Sequence, residues 1–188
     1  MMRLLLFPIT LMHYIFYLSA PEIVRKQINE DVVMMKKRCK KEKGLMYWLV
    51  YRKPYRNLFY YRISKARFLK LLLPEYPLFT IVSGVEFEGG AFVLNHPYGT
   101  ILNAKHIGKN FTCCHLTTIG NGRHGDNSSL PVIGDNVSLG ANVTIIGNVT
   151  VGNNVIVGAG SVIVKDIPDN SIVVGNPGRI VSSNVTND

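Results

Sequence analysis

Cysteine is scarce in this chain. Only Cys39, Cys113 and Cys114 occur among its 188 residues. They form neither a metal-ligand spacing nor a disulfide framework, and a reducing compartment is the simpler setting. The adjacent pair, Cys113 and Cys114, reads as part of a repeating backbone rather than as a redox couple. Acidic residues are also few, 12 against 21 basic ones. The deficit is local: residues 1–70 carry 16 Lys and Arg against 4 Asp and Glu (16 − 4 = +12), whereas residues 71–188 carry 5 against 8 (5 − 8 = −3). The basic character therefore belongs to the N-terminal part. No nucleic-acid recognition signature accompanies it, so a nucleic-acid partner is not expected. A hydrophobic share of 47% with 18% charged residues excludes a disordered chain.

Long apolar runs are lacking too, with one borderline case. Residues 4–20 are almost wholly apolar, and their 17 positions sit at the lower edge of a spanning helix. A secretory signal fits poorly, because Pro21 follows Ser19-Ala20 and only Arg3 precedes the run. Residues 1–20 are a candidate membrane anchor, or else a core or interfacial helix with Thr10 and His13 on its less apolar face. The basic cluster Lys36, Lys37, Arg38, Lys40, Lys41 and Lys43 would attract anionic headgroups and hold this flank on the cytoplasmic side. A membrane surface is thus a candidate partner for residues 1–43. A helical region with solvated basic faces accounts for the same residues. Helices are expected over Glu22–Cys39 and residues 45–73. The aromatic face of residues 57–63 is expected to pack on the first coil of the repeat that follows, and Pro74 and Pro77 to end the helical part.

What the chain has in abundance is a period of six. Ile133, Leu139, Ile145, Val151 and Val157 recur at that spacing, and four positions after each come Val137, Val143, Val149, Val155 and then Ser161. No helix has this period. It predicts a β-helix of hexapeptide repeats, each hexad forming one side of a triangular coil with its aliphatic residue stacked inward. Gly and Asn fill the corners, where positive φ is needed. The Asn-x-Ser/Thr triplets recur at the same period, so corner geometry explains them better than glycosylation. Earlier, Ile81, Phe87 and Val93 are spaced by six, as are Ile101, Ile107, Cys113 and Ile119. Two residues are extra around 96–99, and residues 121–131 form a polar loop leaving the coil. The expected organisation is an apolar segment at 1–20, a basic helical region at 21–79, the β-helix at 80–182 and a frayed tail at 183–188.

Interruptions of a solenoid are where binding surfaces are built. His96 lies in the first, with Pro97 and Gly99 shaping the turn. A histidine there is placed to take the proton of an acceptor hydroxyl as general base, with backbone amides at the coil edge for the oxyanion. His106 and His115 fall in regular hexads and are weaker candidates; His124 is in the loop. The histidines do not form a metal-ligand set.

Asn95-His96-Pro97-Tyr98-Gly99, Thr118-Ile119-Gly120, residues 157–162 and residues 174–181, with Gly175-Asn176-Pro177-Gly178-Arg179, resemble serine acetyltransferase and its relatives among the hexapeptide-repeat acyltransferases. The resemblance covers residues 80–182. It implies a left-handed parallel β-helix, a homotrimer with sites between subunits, and acetyl-CoA as donor without a metal. It also implies His96 as general base, and contacts to coenzyme A at Thr118, Gly120, Gly140, Ala141, Gly158, Ala159 and Arg179. Three departures concern the acceptor. Asn95 stands where the family has Asp. Ser128-Ser129-Leu130-Pro131 stands where the family has Asp-Arg-His-Pro, leaving Arg123 and His124 earlier in the loop. The Asp that partners the histidine aligns near Ile81, with Glu86 or Glu88 as substitutes. A serine site must pair an ammonium and a carboxylate; a sugar hydroxyl needs neither.

The expected function is therefore an acetyl-CoA-dependent O-acetyltransferase with His96 as catalytic base and Asn95, Tyr98, Arg123 and His124 towards the acceptor. The preferred acceptor is a sugar of a surface polysaccharide, with serine as the alternative. The expected location is cytoplasmic, attached or not to the inner membrane face. A non-catalytic β-helix scaffold and a zinc-dependent carbonic anhydrase of the same fold are the readings from other classes.

Overall fold

The computed structural model describes residues 2–93, 96–122 and 129–183. Four helices come first: α1 (Met2–Ser19), α2 (Glu22–Cys39), α3 (Leu45–Tyr51) and α4 (Lys53–Arg62), followed by a 3-10 helix over Ser64–Leu71. The continuous helix expected over 45–73 is broken into three pieces. Arg52 is extended (φ −129°, ψ 90°) and Pro54 sits in the first turn of α4. A continuous helix would set the proline ring against the carbonyl four residues back, so the chain restarts instead. Arg56 then donates to the carbonyls of Leu49 (2.5 Å) and Val50 (2.5 Å), groups that the end of α3 leaves unpaired.

Among the described residues fifteen short strands follow, from β1 (Phe79–Ile81) to β15 (Arg179–Ser182). They form three sheets, the faces of a triangular left-handed parallel β-helix. Face A is β1-β4-β7-β10-β13, face B is β2-β5-β8-β11, and face C is β3-β6-β9-β12-β14 with β15 added antiparallel at its end. Each parallel partner is one whole coil away, so the crossover that parallel pairing demands is the coil itself. The aliphatic stack runs through Ile119, Ile133, Leu139, Ile145, Val151 and Val157, all at most 2% exposed. Val137, Val143, Val149, Val155 and Ser161 also turn inward, at most 4% exposed. Ser161 keeps its hydroxyl satisfied inside by donating to the Gly158 carbonyl (2.7 Å).

One phase in the early coils differs from the sequence expectation. Leu102, not Ile101, is the inward residue: it pairs with Ile81 and Ile119 and is fully buried, whereas Ile101 is 46% exposed. The turn around His96 therefore carries three extra residues rather than two (102 − 93 = 9), and the next side is one short (107 − 102 = 5). Ala104, small and buried, fits that shortened corner.

The helices pack over the first coil. The aromatic segment of α4 divides: Leu58 and Tyr61 join the β-helix core, while Phe59 and Tyr60 join a separate helical core with Trp48, Ile28 and Leu69. Phe92 points out of face C and is covered by this second core. An ion pair ties the two parts together. Arg62 donates to both oxygens of Asp31 (2.6 and 3.0 Å) and to the carbonyls of Phe87 (2.8 Å) and Glu88 (2.6 Å). Asp31 also accepts the Ala91 amide (2.9 Å). Burial pushes the Asp31 carboxyl up to about 6 against the opposing pull of Arg62.

His13 stands on the inner, less apolar face of α1. It is fully buried, with Nδ1 donating to the Ile9 carbonyl (2.7 Å) and Nε2 on the Tyr60 hydroxyl (2.8 Å). Burial lowers its pKa, which favours the neutral ring. Among the described residues no helix is long and apolar enough to cross a membrane.

Candidate active site

His96 lies on the corner where the chain passes from face C to face A. It is exposed, as is Tyr98, while Pro97 is buried. The coils below stack on this turn by backbone bonds. The Leu116 amide donates to the Tyr98 carbonyl (2.8 Å), the Asn142 amide to the His115 carbonyl (2.9 Å), and the Gly160 amide to the Ala141 carbonyl (2.8 Å). The Val162 amide then reaches the Gly175 carbonyl (3.0 Å). One column thus joins the His96 turn, His115-Leu116, Gly140-Ala141, Gly158-Ala159 and Gly175. At a coil spacing of about 4.8 Å, its four intervals span roughly 19 Å.

The column is bare of large side chains below Leu116, for steric reasons. A Cβ on Gly140 would lie 2.6 Å from the Ala159 amide nitrogen, and one on Gly158 would lie 2.8 Å from a Val174 methyl. Glycine is what lets these coils approach at the corner, and it leaves backbone exposed along the edge. Arg179 is exposed in β15, opposite Val174, at the far end of the same edge.

Of the sequence-predicted residues, the structure gathers His96, Tyr98, Gly140, Ala141, Gly158, Ala159 and Arg179 along this edge. Thr118 is half-buried at the start of β7, just past the corner. Gly120 is not on the column. It ends β7 on the other side of face A, where its carbonyl accepts the Gly147 amide (3.0 Å) and the 121–131 loop departs. Asn95, Arg123 and His124 lie outside the described residues. Glu86 and Glu88 are not near His96: Glu86 pairs with His106 Nδ1 (3.6 Å) across face B, and Glu88 leaves the end of β2 with its carbonyl held by Arg62. Face B is the side of the triangle opposite the C–A corner.

Burial raises the thiol pKa values of Cys113 and Cys114, so neither is primed as a thiolate nucleophile. Among the described residues no group of three His, Cys, Asp or Glu side chains is placed to hold a metal ion. Sequence reasoning missed the surface beside the column. A cavity of about 460 Å³ between α2 and face C is lined by Arg38, Arg52, Thr112, Cys114 and Ser138. A second, of about 930 Å³, continues along α2 past Arg25, Lys26 and Lys37. Neither contains His96; the exposed column, rather than a closed cavity, is where the candidate catalytic group sits. The signal for the column was available, since Gly99, Leu116, Asn142 and Gly160 each stand three residues before an inward aliphatic residue and share a positive φ (62°, 59°, 57° and 72°).

A column of exposed backbone beside a histidine on stacked hexapeptide coils defines a class. Residues 131–165 match the bacterial transferase hexapeptide (six repeats) family. The chain is similar to the putative colanic acid biosynthesis acetyltransferase WcaB of Escherichia coli (strain K12), 48% identical over 93 residues, covering 49% of this chain and 57% of that one. It is 34% identical over 134 residues to the serine acetyltransferase of Bacillus pumilus (strain SAFR-032), covering 68% of this chain and 60% of the relative. Its fold matches the crystal structure of Neisseria gonorrhoeae serine acetyltransferase (CysE) with a TM-score of 0.76 and 27% identity, over 92% of this chain and 71% of that one. The chain therefore carries the hexapeptide transferase repeat and resembles acetyltransferases of the serine acetyltransferase type, while spanning somewhat over half the length of the curated relatives it matches.

Proposed function

We propose that the chain is an acetyl-CoA-dependent O-acetyltransferase of serine acetyltransferase type, with His96 as general base. The observation that carries this is the C–A column, an exposed backbone edge roughly 19 Å long that starts at His96. Its length suits an extended thioester lying along the coils, with the acetyl group at the His96 end and the nucleotide towards Arg179. A His96 ring nitrogen takes the proton of the acceptor hydroxyl as its oxygen bonds to the thioester carbonyl carbon. The tetrahedral oxyanion then collapses, the carbon–sulfur bond breaks, and the coenzyme A thiolate leaves with the proton from His96. Thr118, Gly140, Ala141, Gly158 and Ala159 line the donor's path.

The acceptor is a sugar hydroxyl of a surface polysaccharide. Asn95 in place of a carboxylate, and Ser128-Ser129-Leu130-Pro131 in place of an Arg-His pair, remove the groups a free amino acid would need. The 48% identity to a relative named for colanic acid biosynthesis supports the same acceptor class. The likeness to serine acetyltransferases supports the second reading, transfer to serine.

A homotrimer is the assembly that the likeness to serine acetyltransferases implies, and the placement of the two interruptions is compatible with it. His96 is on the C–A corner and the 121–131 loop leaves the A–B corner, at opposite edges of face A. Arg123 and His124, which lie outside the described residues, are the candidate acceptor-side groups of that segment. Acetyl-CoA as donor puts the reaction in the cytoplasm. Acetyl-CoA turnover with L-serine beside candidate sugars tests the acceptor: sugar-dependent release of coenzyme A is expected, and brisk serine acetylation would overturn the sugar reading. Calorimetric titration of coenzyme A separates both from a non-catalytic scaffold, which would not bind it.

A further inference from the structure

Helix α1 is inside out for a helix on the surface of a water-soluble fold. Its inner face presents His13, fully buried, with Phe16 and Tyr17 beside it and Ala20 just past the helix end. Its outer face presents Leu11, Tyr14, Ile15 and Leu18, which are 43–55% exposed and spaced i, i+3, i+4, i+7. The described outer face of α1, from Pro8 to Leu18, carries no charged residue. The apolar surface does not stop at the helix. Phe16 meets Phe68 edge-on (5.5 Å between ring centres), and the 3-10 helix and the residue after it add Phe68 (56% exposed), Leu71 (90%) and Leu72 (45%). Contiguous exposed apolar surface on this scale marks an interaction site.

Cations stand at its rim. Lys65 and Arg67 are exposed on the same 3-10 helix as Phe68. Arg25, half-buried near the start of α2, donates to the Leu18 carbonyl (3.0 Å) at the end of α1. We infer that this face is an interfacial membrane-binding surface, α1 lying in the plane of an anionic lipid bilayer with Lys65, Arg67 and Arg25 at headgroup depth. Spanning is disfavoured by construction, because reorienting α1 would strip His13 from Tyr60 and expose its ring to hydrocarbon. A second copy of the chain is the poorer occupant. A two-fold contact through this face would bring the same cationic rim against itself, in a region whose first 70 residues carry a balance of +12 (16 − 4). Anionic lipid neutralises that rim. This inference does not rest on the acetyltransferase reading.

The test is flotation of the full chain with vesicles of phosphatidylcholine containing about one-third phosphatidylglycerol, against pure phosphatidylcholine. The chain is expected to float with the anionic vesicles and to be released by high salt only in part, since the apolar face remains inserted. The triple variant Leu11→Glu, Ile15→Glu, Leu18→Glu should lose flotation about tenfold or more. The milder pair Lys65→Gln, Arg67→Gln, which leaves α1 intact, should shift the salt dependence without abolishing binding. A wild-type chain that stays at the bottom of the gradient with anionic vesicles overturns the proposal. So does self-association in light scattering that the triple variant abolishes while no vesicle binding is found.

Discussion

Two corners of the same coil solve the same geometric problem differently. At the B–C corner the left-handed position is filled by Gly90, Asn110, Asn136, Asn154 and Asn170, each with φ between 55° and 80°. Asparagine tolerates that conformation, and its amides form a ladder: Asn110 to Asn136, Asn136 to Asn154 and Asn154 to Asn170, each 2.9 Å. At the C–A corner the same position holds Leu78, Gly99, Leu116, Asn142 and Gly160, with φ between 57° and 72°. Two leucines in a left-handed conformation are a strained choice. The first corner is built for the coil and satisfies itself. The second gives up the ladder, keeps backbone exposed, and holds Leu116 against Gly99 beside His96. The contrast teaches that the edge carrying the candidate site is the one where stability has not been optimised.

Several substitutions can break or sharpen this contrast. The largest effect is expected at the top of the asparagine corner, where Asp31 holds the Ala91 amide next to Gly90. Asp31→Ala strands the buried Arg62 charge and should lower unfolding free energy by about 3–5 kcal/mol, read by denaturant titration. The same carboxyl gives a pH signature. Its folded pKa of about 6 lies above the ordinary 3.8, so the proton-linked part of stability is full below about pH 4 and is lost as pH rises through 6, while the bonds to Arg62 and the Ala91 amide persist in the ionised form. A carboxyl resonance titrating near 6 in the wild type, absent in Asp31→Ala, checks this. Next, Asn136→Ala removes two ladder bonds and the side chain that suits φ 57°, and should cost about 2 kcal/mol. Asn136→Gly should cost less, because glycine keeps the conformation. The smallest effect has the opposite sign: Leu116→Gly should raise stability by about 1 kcal/mol or leave it unchanged, while acetyl transfer falls. Equal destabilisation at both corners would remove the contrast.

The scaffold was legible because its signal repeats. Five aliphatic positions at a spacing of six leave little choice of fold, and the same residues are the buried stack. The early phase was misread at Ile101 because Leu102 beside it is equally aliphatic; only pairing to Ile81 and Ile119 tells them apart. The helical part has no repeat to read. Arg62 finds Asp31 across 31 positions and His13 finds Tyr60 across 47, contacts with no local signature. That is why the burial of His13 was not read in advance and why Glu86 and Glu88 were offered as partners for His96. The break in period around His96 was legible, and the structure places that residue on the C–A corner.

The most direct test of the central claim is His96→Ala, assayed for acetyl-CoA turnover with coenzyme A affinity measured on the same protein. The C–A column predicts that coenzyme A still binds within a fewfold of wild type while the rate falls by about two to four orders of magnitude. Turnover close to wild type in that variant would contradict the account.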